Sequence, residues 1–124
     1  MAEENRSVWE IISDTLIENG FDVYPPATHV GECEKEYIVL KQDGSSQIAG
    51  YSSEVVYYRF MLYVPREKYS FLDEYTKSVK KVLDEQLYPM IMPTGQSEGD
   101  YYDDNYNAHL RAFLYRNNVR NKHL

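Results

Sequence analysis

The stretch Glu54–Pro65, EVVYYRFMLYVP, constrains the possible folds more than any other part of the chain. It is rich in β-branched and aromatic residues and closes on a proline, which cannot continue a hydrogen-bonded ladder, so it reads as a central strand. Val56, Tyr58, Phe60, Leu62 and Val64 form an unbroken apolar row on its even face. The odd positions, Val55, Tyr57, Arg59, Met61 and Tyr63, are aromatic and mixed rather than plainly polar. A sheet covered by helices on one face needs apolar residues only on that face. The second face therefore calls for another partner, inside the chain or outside it.

The elements around this strand can be placed by period and punctuation. Ser7 and Glu10 have the capping-box spacing, Val8, Ile11, Ile12, Thr15 and Leu16 follow on one helical face, and Gly20 is placed to close the turn. This predicts a helix over 7–19, with Trp9 at the margin of the core. A short extended run over 21–24 ends at Pro25-Pro26, and a connecting loop leads to a strand over 37–41. Asp43-Gly44-Ser45-Ser46 reads as a turn, and 47–51 as a further strand or a bulged lead into the central one. Ser70 and Asp73 repeat an N-cap pattern before a second helix over about 70–86. Pro89, Pro93, Gly95 and Gly99 then predict a long loop over 89–106, the candidate mobile loop. A last strand over 107–116 places Ala108, Leu110, Ala112 and Leu114 on one face and His109, Arg111, Phe113 and Tyr115 on the other, ahead of a loose tail over 117–124.

The order α-β-β-β-α-β predicts a single α+β domain with an antiparallel or mixed sheet. Strands 37–41 and 54–64 form an antiparallel meander, and both helices pack on the even face. The odd face, through Tyr57, Met61, Tyr63, Phe113 and Tyr115, is the candidate contact between subunits or with a partner. Cover of that face by the 89–106 loop of the same chain is the competing reading.

Composition narrows the chemistry. The chain has 124 residues, enough for a core without disulfide or metal support, and its single cysteine, Cys33, cannot make an intrachain disulfide. The acidic start lacks a signal-peptide pattern, and no apolar run approaches the ~20 residues of a membrane helix. A formal charge of −7 argues against sequence-specific nucleic-acid binding. Thirteen tyrosines suit a binding surface, because a tyrosine can be covered at one end and wet at the other.

His29 and Cys33, with Glu32 and Glu34 nearby, raise a metal or thiol–imidazole site, but one loop cysteine supplies neither a positioned base nor an oxyanion hole. Glu98, Asp100, Asp103 and Asp104, interleaved with Tyr101, Tyr102 and Tyr106, do not match an EF-hand loop. Asp100, Tyr101, Tyr102, Asp103 and Asp104 read instead as a partner-facing loop that can steer a basic surface. Arg116, Arg120 and Lys122 form a basic tail suited to docking on an acidic surface. No phosphate-binding loop, nucleophile elbow or HExxH occurs. The expectation is a non-enzymatic protein with no cofactor and no metal.

The segments DVYPPATHVGE (22–32), IVLKQDGSSQIAGYSS (38–53), YVPREKYS (63–70), LYPMIMPTG (87–95) and YYDDNYNAHLRAFLYR (101–116) carry a family resemblance. The chain resembles small proteins encoded among the head-completion and tail genes of prophages and long-tailed phages of Gram-positive bacteria. Its element order is similar to that of their tail-terminator and head-to-tail joining proteins. The resemblance implies a virion protein assembled in the bacterial cytoplasm, forming a ring, typically a hexamer, between a tail-tube protein and a head-completion protein. The alternative it leaves open is a minor capsid or connector protein acting as a monomeric binding module. It implies no catalytic residues.

Overall fold

The computed structural model of the protein describes residues 6–29, 31–47 and 53–120. Helix α1 covers Val8–Glu18, followed by β1 at Val23–Tyr24, β2 at Tyr37–Gln47 and β3 at Ser53–Pro65. A 3-10 segment, Arg66–Phe71, leads into α2 at Leu72–Val82, and a π turn, Leu83–Leu87, ends it. Strands β4 at Met92–Ser97, β5 at Tyr101–Asp103 and β6 at Ala108–Arg120 complete the order. The fold is α+β. Among the described residues the six strands make one mixed sheet in the order β1-β2-β3-β6-β4, with β5 also paired to β6. The parallel pair is β1 with β2, and the pairings of β3 and β6 are antiparallel.

The even row of β3 lies inside, as its period requires. Phe60, Leu62 and Val64 are fully buried, and Ile12 and Leu16 of α1 with Leu72, Tyr75 and Val79 of α2 pack in the same cluster. Each such side chain contributes about 1.5–3 kcal/mol on full burial, so this layer dominates the stability of the fold. The expected cap of α1 forms: Ser7 Oγ accepts from the Glu10 amide at 3.1 Å, and Glu10 Oε1 accepts from the Ser7 amide at 3.1 Å. Gly20 follows at φ +92°, a conformation that costs other residues steric strain. Trp9 sits at the core margin, its indole donating to the Leu40 carbonyl at 2.7 Å.

Several expected boundaries move. Asp43–Ser46 is not a turn but a β-bulge inside β2, with the register to β3 shifting between Gln42 and Ser45. Gly44, at φ +111°, supplies the backbone angle there. Ser70 does not cap α2, because the 3-10 segment runs into the helix through Phe71 without a side-chain cap. The 89–106 segment is not a structureless loop: β4 and β5 run in succession along the far edge of β6. Strand β6 also takes in Asn117–Arg120 of the expected tail. Of the possible strand over 47–51, Gln47 ends β2 and the rest lies outside the described residues, as does Lys122.

Candidate functional site

The odd face of β3 looks away from the helices, and the structure divides it into two ends. At one end Tyr37, Val39, Tyr63, Ala108 and Leu110 are buried in a second cluster together with Cys33. The rings of His29 and Tyr37 stack at 4.0 Å and those of Tyr37 and Tyr63 at 4.8 Å, while Tyr24 and Tyr106 meet the stack edge-on. The cover is the connection between β1 and β2, pinned by a hydrogen bond that the Cys33 backbone N–H donates to the Tyr106 carbonyl at 2.8 Å. Burial pushes the Tyr63 phenol up to about 12. It also pushes the Cys33 thiol up to about 11, with Glu36 adding to the effect. Such a thiol is a poor nucleophile at neutral pH.

Among the described residues the other end is left partly open. Tyr57 pairs with Arg116, Arg59 with Leu114 and Met61 with Ala112 across β3 and β6, and Met92 of β4 extends the row of Tyr57 and Arg116. Tyr57, Arg59, Met61, Leu114, Arg116 and Met92 are all partly exposed. Arg59 is fixed among them, donating to Asp43 Oδ2 through Nη2 at 3.0 Å and Nε at 3.2 Å, and to Glu98 through Nη1. The guanidinium holds the Asp43 carboxyl below its ordinary range. Beside it lies a hollow of about 400 Å3 lined by Arg59, Gly95, Gln96, Ser97, Glu98, Phe113 and Leu114. It opens where β4 takes four steps, Pro93 to Ser97, against two on β6.

The candidate contact residues therefore separate. Tyr57 lies at the open end, whereas Met61 packs against the covered cluster at the boundary between the two ends. Tyr63 is covered by its own chain, through the β1–β2 connection and Tyr106 rather than through the whole 89–106 segment. Phe113 and Tyr115 are corrected to the inner face: they pair with Phe60 and Tyr58 and are buried against them, and the Tyr115 hydroxyl donates to Asp84 at 2.9 Å. Both rows of β6 carry large apolar side chains, so its alternation alone could not assign the faces. The register with β3 decides it.

The acidic segment is also divided. Asp100 is tied down, accepting from Arg111 Nε and Nη2 at 2.7 and 2.8 Å and from the Tyr69 hydroxyl at 2.7 Å. Arg111 holds its carboxyl below the ordinary range, with Tyr69 assisting. The same guanidinium reaches Asp73 of α2 at 2.7 Å. Tyr102 bonds Asn107 at 3.1 Å and packs edge-on to His109. Asp103 pairs with Ala108 and accepts from the Asn105 amide, whereas Tyr101 and Asp104 are exposed. Arg116 lies on the outer face and Arg120 ends β6. The sequence did not reveal the Arg59 and Arg111 ion pairs, whose partners lie far along the chain; an arginine inside an otherwise apolar strand was the available signal.

The two long edges of the sheet are poorly suited to strand addition. β1 covers only Ile38 and Val39 of β2, and the remainder of that edge carries Lys41 and the Gly44 bulge. The edge of β4 carries Pro93 and its own bulge. Charges, prolines and bulges discourage edge-to-edge pairing. Among the described residues no group of three or more His, Cys, Asp or Glu is placed to hold a metal ion, and no helix is long and apolar enough to cross a membrane. No protein-family model and no curated protein matches the chain.

Proposed function

We propose that the chain is a non-enzymatic assembly subunit, a ring-forming tail terminator or head–tail joining adaptor of a long-tailed phage. The observation that carries the reading is the open end of the outer sheet face, where Tyr57 and Leu114 are partly exposed on paired strands, with Met61 at its margin. Aromatic and methionine side chains with an arginine are the composition of interface centres, and a sheet presents them already ordered. The sequence resemblance supplies the phage context, and the blunted edges favour contact through the face.

Mass measurement in solution, with electron microscopy of the purified protein, tests self-assembly. Rings support the proposal, and a strict monomer at all concentrations removes the self-assembling part of it. Tyr57→Glu locates the contact: a variant that folds but no longer assembles supports this face. Unchanged assembly would move the contact elsewhere.

A further inference from the structure

On the helix side of the sheet, a second hollow of about 190 Å3 is lined by Phe21, Phe71 and Tyr75 together with Asp22, Lys35 and Glu36. The Tyr75 ring meets both other rings, at 6.0 Å from Phe21 and 5.6 Å from Phe71 between centroids. Tyr75 is only 3% exposed, and its hydroxyl is buried with no hydrogen-bond partner among the described residues. The buried Tyr115 hydroxyl, by contrast, is matched to Asp84 at 2.9 Å. A phenylalanine would supply the same ring without leaving a buried polar group unpaired, so the Tyr75 hydroxyl has no use in the packing of its own chain. Burial pushes this phenol up, and Glu36 and Asp22 add to the shift, which puts the hydroxyl on the acidic side of the hollow.

Aromatic rings and carboxylates together attract a cation, whereas an anion would meet Asp22 and Glu36. The hydroxyl and both carboxylates can accept hydrogen bonds, so the matching cation carries N–H donors. The Glu36 carboxylate has no hydrogen bond or ion pair among the described residues. Lys35 is the one cation in the lining, and it stays at the rim, 3.6 Å from Asp22 with its side chain 72% exposed. So exposed a pair is easily exchanged for another cation. Outside the described residues the one lysine or arginine is Lys122, two positions beyond Arg120. Arg120 pairs with Ser53, ten residues of β3, or ~33 Å, from Tyr63 and its partner Tyr37 beside Glu36. Two residues span at most ~7 Å, so Lys122 cannot reach the hollow.

We infer that this hollow binds a small organic cation with N–H donors, such as an alkylguanidinium, with Tyr75 and Glu36 accepting its hydrogen bonds and Phe21 and Phe71 packing on its alkyl part. The space corresponds to about six waters at ~30 Å3 each, enough for the end of one arginine side chain. The site lies on the helix side of the sheet and does not depend on assembly through the outer face.

Calorimetric titration of the full chain with butylguanidinium, and with butylurea as its neutral isostere, tests this. Wild type is expected to bind the cation with a Kd of about 1 mM, in the range for so few atoms, and butylurea about tenfold more weakly. Glu36→Gln should weaken cation binding about tenfold, as expected for the loss of a charged acceptor. Tyr75→Phe should weaken it about threefold while leaving the melting temperature unchanged or raised, because the variant removes an unpaired buried hydroxyl. If Tyr75→Phe melts early instead, Glu36→Gln at its partly exposed position still decides. Lys35→Met should tighten binding by removing a competing cation. The peptide acetyl-Gly-Arg-Gly-amide separates the sources: affinity equal to that of butylguanidinium assigns the site to an arginine of a partner protein, and binding of the free ion alone assigns it to a small molecule. No binding of either compound up to ~20 mM, equal binding of both, or unchanged affinity in Glu36→Gln overturns the inference.

Discussion

The two ends of the outer sheet face are built from the same three strands and finished in opposite ways. At the covered end the β1–β2 connection folds back over Tyr37, Tyr63 and Leu110, and a stack of rings running from His29 to Tyr63 fills the space. At the open end Tyr57 and Leu114 are left partly exposed, with Arg59 locked to Asp43 and Glu98 between them and Met61 packed at the boundary with the covered end. The strands supply apolar side chains along their whole length, whereas among the described residues a cover reaches only one end. An aromatic residue in a strand thus does not reveal its role by type. What decides between core and contact is whether another segment of the same chain reaches it.

Substitutions can break this contrast, and the inner face gives the upper limit. Phe60→Asp places an unpaired charge in a fully buried site, and the expected result is no cooperative unfolding transition in circular dichroism. Tyr63→Ala at the covered end should cost about 3 kcal/mol in urea unfolding, close to the range for large aromatic truncations. If it behaved like an exposed position, the division of the face would be lost.

Asp100→Asn tests the clamp beneath Tyr101. The carboxyl is held below its ordinary range in the folded state, so the unfolded chain binds a proton more readily. Its contribution is complete above the unfolded carboxylate range and is lost as pH falls from there through the lowered folded value. The variant should be less stable than wild type by about 1–2 kcal/mol at pH 7, with the gap closing in acid. A gap independent of pH would show that the ion pair is not its source. Tyr57→Glu should change stability least, by about 0.5 kcal/mol or less, as expected of a partly exposed position, while abolishing assembly. A large loss of stability would make Tyr57 part of the fold's own cover.

Much of the inner layer was legible in the sequence because local chemistry specifies it. The period-two row from Val56 to Val64 can bury only one way, and Ser7 with Glu10 satisfies amides within one turn of its own helix. The surplus on the odd face was legible too, but not its division. The cover comes from residues about 30 positions away from Tyr63, and nothing in the local pattern states how a proline-containing connection will fold back. The same limit explains Phe113 and Tyr115. Alternation showed that the two rows of β6 face opposite ways, and only pairing with Phe60 and Tyr58 showed which way. Similarly, the prolines and glycines of 89–106 correctly marked irregular backbone, yet the far edge of β6 still ordered two short strands from it.

The sequence by itself determined an α+β chain with a helix-covered inner face and more apolar strand surface than that face consumes. These are consequences of hydrophobic period, capping and turn chemistry, all of which act within a few residues. Only the tertiary structure decided which aromatic residues became core, which acids were spent on Arg59 and Arg111, and which part of the outer face the described residues leave uncovered. Those outcomes depend on register and on contacts between residues distant in the chain, and a one-residue shift in register would exchange the two faces of β6.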